Sequence, residues 1–449
     1  MAVYLLGLLL GGLYVGLIAP VRLVIQQDFG IGDDAGIWMI NIYSLFYAAC
    51  IPVIGKLADN HGRRTILIAC LLVFGVGSTL CALSQALGFA VLLAGRVVQA
   101  VGACGIIPVA NAEMGTAVPP EKRGLALGLT AAVSGLSNVL GSAVGSGLLF
   151  IAGNENWPFL FWVAVPACLL LAVAAKMVLA NNVVESPKRL DLVGSALFVA
   201  MVLLLLVALQ NLDFFAFAET AVLPQVWLPL AGMVACLATF RTVERRVADP
   251  VFHLEYLHNR AIVVTMVVSF FVGCITICMS LVPEIAEFIA EAPTGSGGFY
   301  VIPVGVTCLF GPPLAGKLID RFGPKPIMMG GLAASGAAYA FLAFVAVPSH
   351  NEVVLVLGLC LVGLGMGFVM GAPTNYMILE NTSEQESTSA IATITLVRQI
   401  GTSVAPAVLV GFVAANPGAA GFQHLLMCVA AFCVLAFACM IAYQKNERP

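Results

Sequence analysis

Apolar residues in this chain neither alternate nor return on one face of a helix. They run on in long blocks separated by short polar connections. About 20 apolar residues carry a helix across the hydrocarbon of a bilayer, where every backbone group must be satisfied within its own segment. Blocks of that kind predict helices over residues 3–26, 36–56, 65–84, 89–112, 123–150, 157–180, 191–211, 224–242, 261–285, 298–316, 327–347, 353–377, 388–414 and 422–444. The expected fold is an all-α polytopic membrane protein with 14 transmembrane helices. Composition agrees: only 10% of the 449 residues are charged, too few to cover a soluble surface, where roughly 25% is usual. Met1 stands almost against the first apolar run with no basic leader, so the first helix is expected to be retained.

The connections differ in charge. All but three of the twenty Lys and Arg residues fall in or beside even-numbered connections or at the termini; the exceptions are Arg22, Arg96 and Arg398. The positive-inside rule then places both termini in the cytoplasm, for a multi-pass protein of the cell (plasma or inner) membrane. A net charge of −3, with no basic cluster beyond these loops, gives no sign of a nucleic-acid partner. The thirteen cysteines are scattered through helices. Cys274 and Cys278 can share a helix face, but no histidine or acid completes a metal site, so all read as small core residues. No metal and no cofactor are expected.

Two connections carry copies of one segment, GKLADNHGRRTIL at 55–67 and GKLIDRFGPKPIM at 316–328, 261 residues apart. The first follows helix two. If the second follows the second helix of its own unit, that unit begins at helix nine. Residues 1–180 then form an N-terminal six-helix bundle and 256–449 a C-terminal one. Residues 181–255 form a linker with two extra transmembrane helices. Internal repeats of this kind are typical of secondary transporters, with the substrate cavity at the interface between halves. Asp59, where helix two ends, can accept hydrogen bonds from a helix N-terminus in the other half, and Arg63 can reach Glu113. Such a cluster would latch the cytoplasmic side; a plainer reading has Arg63 and Arg64 merely holding the loop inside. The second copy keeps Gly316, Asp320 and Gly323, but Pro324 replaces the first arginine, which predicts a weaker latch.

GKLADNHGRR resembles the loop signature of the major facilitator superfamily, G-x-L-x-D-x-x-G-R-[RK], and the helix count resembles its branch of drug:proton antiporters with two additional helices. Trp38 and Tyr43 match a W-x-x-x-x-Y pattern in helix two. Arg96-Val-Val-Gln-Ala-Val-Gly-Ala resembles the helix-four R-x-x-Q-G-x-G-A motif, with Ala100 in place of its first glycine, and Arg398-Gln-Ile-Gly resembles an R-Q-x-G segment in helix thirteen. The resemblance implies the same latch, with Asp59, Arg63 and Glu113 at matching positions, and a part for Arg96 in proton transfer; Gly55, Gly62, Arg64 and Asp320 complete the candidate latch. Two features depart from the branch. Gly141-Ser-Ala-Val-Gly145-Ser lacks the proline of G-P-x-x-G-G in helix five, and Gly11 stands where an aspartate is frequent in helix one.

An arginine at mid-helix costs about 2.5–3.5 kcal/mol on insertion scales, so each should face a cavity or a partner. Arg22 is expected to pair with Asp28. Arg398, with Gln399, is expected either to fix helix thirteen or to touch substrate. No acid occupies the middle of a core helix. Glu284, after Pro283, is the preferred proton carrier, with Glu113 and Arg96 as further coupling candidates; Asp28 is also a candidate, although it and Glu287 read as solvated ends. Candidate cavity residues are Trp38, Asn41, Tyr43, Gln99, Asn138, Phe270, Phe271, Asn375, Tyr376, Arg398 and Gln399. Polar groups of this kind also serve as interhelical contacts worth ~0.6 kcal/mol each.

These readings predict a monomeric secondary active transporter working by rocker-switch alternating access, with proton-coupled efflux of amphipathic organic compounds or drugs. The alternatives are a uniporter or symporter-type carrier for a metabolite, lipid or anion, for which the arginines speak, and a non-transporting membrane sensor. The chain has no HExxH helix, nucleophile elbow or diphosphate-binding Asp cluster, so an enzyme is not expected. It also lacks a GxxxxGK[ST] loop, so ATP is not expected to drive it directly.

Overall fold

The computed structural model describes residues 1–180, 191–212, 214–244, 256, 258–291, 297–416 and 418–444. Among them there is no strand. The long helices are α1 (Ala2–Phe29), α2 (Trp38–His61), α3 (Arg63–Leu87), α4 (Phe89–Thr116), α5 (Arg123–Ala152), α6 (Ala164–Val178), α7 (Leu192–Gln210) and α8 (Pro224–Glu244). They continue with α9 (Arg260–Thr276), α10 (Val301–Phe322), α11 (Pro324–Phe341), α12 (Glu352–Val369), α13 (Ser387–Ala415) and α14 (Ala419–Ile441). After α9 the chain bends into Cys278–Ile289, and after α12 it resumes as Ala372–Glu380. Gly371, at φ 74°, makes that second break, in a region of backbone space that only glycine enters freely.

Ten helices are long and apolar enough to cross a bilayer, and an eleventh is added if Arg260–Thr276 and Leu281–Ile289, bent by 46°, form one span. Ala2–Ile18 and Pro224–Phe240 are shorter apolar helices. By this measure the described residues do not reach the fourteen spans expected from the sequence.

Outward faces carry bare hydrocarbon, with Phe150, Leu170, Met177 and Phe310 among the most exposed side chains. Lipid tails are as apolar as leucine, so close approach of small residues, rather than the hydrophobic effect, brings such helices together. Gly77, Gly95 and Gly102 let α3 and α4 touch backbone to backbone, and Gly331 and Gly365 do the same for α11 and α12.

One apolar core is built from α1–α6 and another from α9–α14. A third lies between these two groups and includes Ala112, Leu127, Ile319, Ile378 and Ile394. A fourth packs Phe198, Val202 and Leu206 of α7 and Phe240 of α8 on Leu45, Ala48 and Ala49 of α2 and Leu396 of α13. The helix pair α7–α8 therefore covers the α2–α13 seam between the groups.

Candidate functional site

The two repeated segments form related junctions. Each ends a helix, turns at a glycine of positive φ (Gly62, 88°; Gly323, 81°) and begins the next helix. Three residues before the turn, Asp59 Oδ1 and Oδ2 accept the backbone N–H groups of Thr388 (3.1 Å) and Ser389 (2.7 Å), in the first turn of α13. Asp320 Oδ1 and Oδ2 accept those of Gly124 (2.6 Å) and Leu125 (3.0 Å), in the first turn of α5. A carboxylate in such a position meets both the unpaired N–H groups and the positive end of the helix dipole. The first group thus holds a helix of the second, and the second holds a helix of the first.

The first glycine of each segment sets the distance. Gly55 lies against Ala392 and the Thr388 carbonyl, and Gly316 against the Gly124 carbonyl; a side chain at either position would strike the partner helix.

The basic residues after the turn differ. Arg63 donates through Nη1 to Glu113 Oε2 (3.1 Å) and Thr116 Oγ1 (2.5 Å) in its own group. In the other group it donates to Thr388 Oγ1 (3.3 Å), the Glu384 carbonyl (3.3 Å) and Ser387 Oγ. Pro324, at the matching position, offers no such bridge, yet Asp320 keeps both of its hydrogen bonds.

The second basic residue does something the sequence reading missed. Arg64 donates to the Lys176 carbonyl at the end of α6, and Lys325 Nζ to the Ile441 (3.2 Å) and Tyr443 (2.7 Å) carbonyls at the end of α14. A cation there meets carbonyls left unpaired at a helix C-terminus. The hydrogen bonds joining described residues of the two groups cluster at these junctions.

Three side chains of the first group, Arg96, Tyr43 and Tyr47, form a buried row. Arg96 is 1% exposed; it donates through Nε to the Met39 carbonyl (3.1 Å) and through Nη1 to Gln99 Oε1 (2.6 Å). Its guanidinium stands 4.1 Å from the Tyr43 ring centroid. Tyr43 stacks on Tyr47, centroids 6.0 Å apart and planes at 12°. Arg398 stands on α13 of the second group. Arg398 is half-buried and has no hydrogen-bond or ion-pair partner among the described residues. The Tyr43 hydroxyl is buried without a hydrogen-bond partner, as is Asn375 Oδ1.

The remaining candidates are dispersed. Gln99 is wholly buried inside the first group, where it donates to Ser78 Oγ (2.8 Å), and so does not face the space between the groups. Trp38 is exposed at the start of α2, while Asn41 and Gln399 are half-buried. Phe271 packs on Phe270 and on Phe432 of α14, and Tyr376 packs against the core between the groups. The side chain of Asn138 lies outside the described ones.

Among the acids, Glu284 is exposed on the bent continuation of α9, and Glu113 pairs with Arg63. Asp28 is not the expected partner of Arg22. Its Oδ2 accepts from Trp157 Nε1 (2.8 Å) and Gln85 Nε2 (3.2 Å), fastening α1 to α3 and to the entry of α6.

Known proteins share both pattern and shape. The family model described as Major Facilitator Superfamily matches residues 4–406, and again 263–449. The uncharacterized MFS-type transporter YfiU of Bacillus subtilis (strain 168) is 30% identical over 420 residues, covering 92% of this chain and 79% of that protein. The multidrug transporter protein MdtP of the same organism is 25% identical over 382 residues, covering 83% of this chain and 68% of that protein. Among solved structures, the human organic anion transporter MFSD10 (TETRAN) superposes with a TM-score of 0.71 at 17% identity, over 98% of each chain, a likeness of fold alone. With its repeated junctions, its all-helical fold and these relatives, the chain belongs to the major facilitator superfamily and is a multi-pass membrane transporter.

Proposed function

We propose that this transporter works by alternating access and exports amphipathic organic compounds in exchange for protons. The observation that carries this reading is the pair of reciprocal carboxylate–helix contacts at Asp59 and Asp320. Hydrogen bonds to a charged group contribute about 1.5–3 kcal/mol each, enough to hold one side shut and small enough for ligand binding to offset. The two junctions then act as a latch that closes one side and releases when the protein opens there.

The basic residues put that side, and both termini, in the cytoplasm of a plasma-membrane protein. Residues 1–180 and 256–449 are the two rocking bundles, and 181–255 carries the extra pair. Counting α1, α5 and α8 with the eleven spans gives fourteen. Export of drug-like compounds rests on relatives named as multidrug transporters. Glu284 is the acid best placed to exchange a proton with the non-cytoplasmic side, since Glu113, Asp59 and Asp320 are engaged in the latch.

Sealed proteoliposomes with an internal pH-sensitive dye and an imposed proton gradient test this reading. Lipophilic cations, neutral drugs and organic anions are added in turn, with Glu284→Gln alongside. Compound-triggered proton flux that falls about tenfold or more in Glu284→Gln is expected, a loss of about 1.4 kcal/mol or more. Compound movement without proton flux would remove the coupling and leave a uniporter. If no compound moved, export of amphipathic compounds would be overturned.

A further inference from the structure

We propose that the compound recognised between the two bundles is an amphipathic organic anion, a carboxylate or sulfonate, and that Arg398 is the side chain that reads its charge. This assignment rests on the alternating-access reading, because it takes the space between the bundles as the transport path.

Arg96, Tyr43 and Tyr47 line up in the core of the first bundle, and Arg398 stands on α13 of the second, the helix that Gly55 of α2 meets at Ala392. The charge of the two arginines is not balanced by the protein. Arg96 is bonded to neutral groups, the Met39 carbonyl and the Gln99 side chain. Arg398 has no partner among the described residues, and Glu284, on the bent continuation of α9, is exposed. Asp59 and Asp320 are committed to helix N-termini, Glu113 to Arg63, and Asp28 to Trp157 and Gln85. A cation held within the membrane without a counter-charge is costly, and a ligand that supplies the negative charge lowers that cost.

Position supports the same assignment. Leu396 and Ile400, two residues to either side, pack toward α7, so Arg398 points to the opposite face of α13. There it is half-buried, with its own backbone carbonyl against Gly273 of α9. A guanidinium fork matches the two oxygens of a carboxylate or sulfonate, and the Tyr47 ring offers an apolar wall to the body of the molecule. A cation in this place would meet two like charges, and a neutral compound would leave Arg398 uncompensated. Arg96, already fixed by its own hydrogen bonds, acts as a positioning residue that holds Tyr43 and adds field.

The test uses naphthoate, naphthylmethanol and naphthylmethylammonium, three molecules of one shape and different charge, binding at equilibrium to the full-length protein in nanodiscs of neutral lipid. Naphthoate is expected to bind about tenfold or more tighter than the other two. Arg398→Gln should reduce it to the level of the alcohol, while Arg398→Lys should keep most of the preference. Thermal unfolding of both variants, run in parallel, reports whether they fold. The assignment is overturned if the ammonium or the alcohol equals naphthoate, or if Arg398→Gln keeps the preference. It is also overturned if equimolar chloride displaces naphthoate, which would reveal a site for an inorganic counter-ion. Transport of neutral or cationic drugs in proteoliposomes without naphthoate binding would sink the anion assignment and leave the transporter standing. Naphthoate binding without transport of any compound would support the site and count against the transport reading instead.

Discussion

Asp59 and Asp320 make matching contacts although only one of their segments keeps the arginine after the glycine. The loss of that arginine at Pro324 suggested from the sequence a weaker second latch. The carboxylate geometry does not depend on it, because the N–H groups of the partner helix supply both bonds. Asp59→Asn and Asp320→Asn should therefore slow transport to a similar degree, each about tenfold if one charged hydrogen bond of ~1.5 kcal/mol is lost. Initial rates in proteoliposomes check this; a tenfold effect at Asp59 with none at Asp320 would show the arginine, not the carboxylate, to be decisive. Other residue-scale contacts could not be read in advance. Arg64 and Lys325 find backbone carbonyls more than a hundred positions away, and backbone acceptors carry no sequence signal. Asp28 was matched by proximity in sequence to Arg22, whereas its actual partners, Gln85 and Trp157, are brought to it by folding.

Between elements, glycine decides how close the bundles come. Gly316 of α10 meets the backbone of α5 at Gly124, and Gly128 meets Pro312 one turn further on. A valine at 316 must push the helices apart, at a cost of about 1–3 kcal/mol, and should separate Asp320 from its two N–H groups. Gly316→Val is thus expected to lose most transport, while Gly135→Val, also on α5 but facing open space, should retain it. Flux measurements on the two variants at equal reconstituted amounts check this; equal loss in both would contradict the close-crossing explanation. The glycines were visible in the sequence, but which faced a partner was not, because an apolar helix in lipid has no amphipathic face to orient it. For the same reason the placement of α7 and α8 on the α2–α13 seam came only from structure.

At the scale of the whole molecule, the repeat was legible because charge in so apolar a chain is rare enough to stand out, and GKLADNHGRR and GKLIDRFGPK stand in register. The number of spans was less so. Arg260–Thr276 and Leu281–Ile289 are bent by 46°, and among the described residues Ala2–Ile18 and Pro224–Phe240 are shorter than a full span. The central claim is that closing one side opens the other, and distances between spin labels test it directly. One pair, at Lys122 and Arg321, spans the latch side; the other, at Leu87 and Val353, spans the opposite side, and all four positions are exposed. Labels carried on an unnatural amino acid leave the thirteen native cysteines untouched. Alternating access predicts that substrate and a proton gradient lengthen the 122–321 distance while shortening the 87–353 distance. Two distances that stay fixed, or that lengthen together, would contradict it.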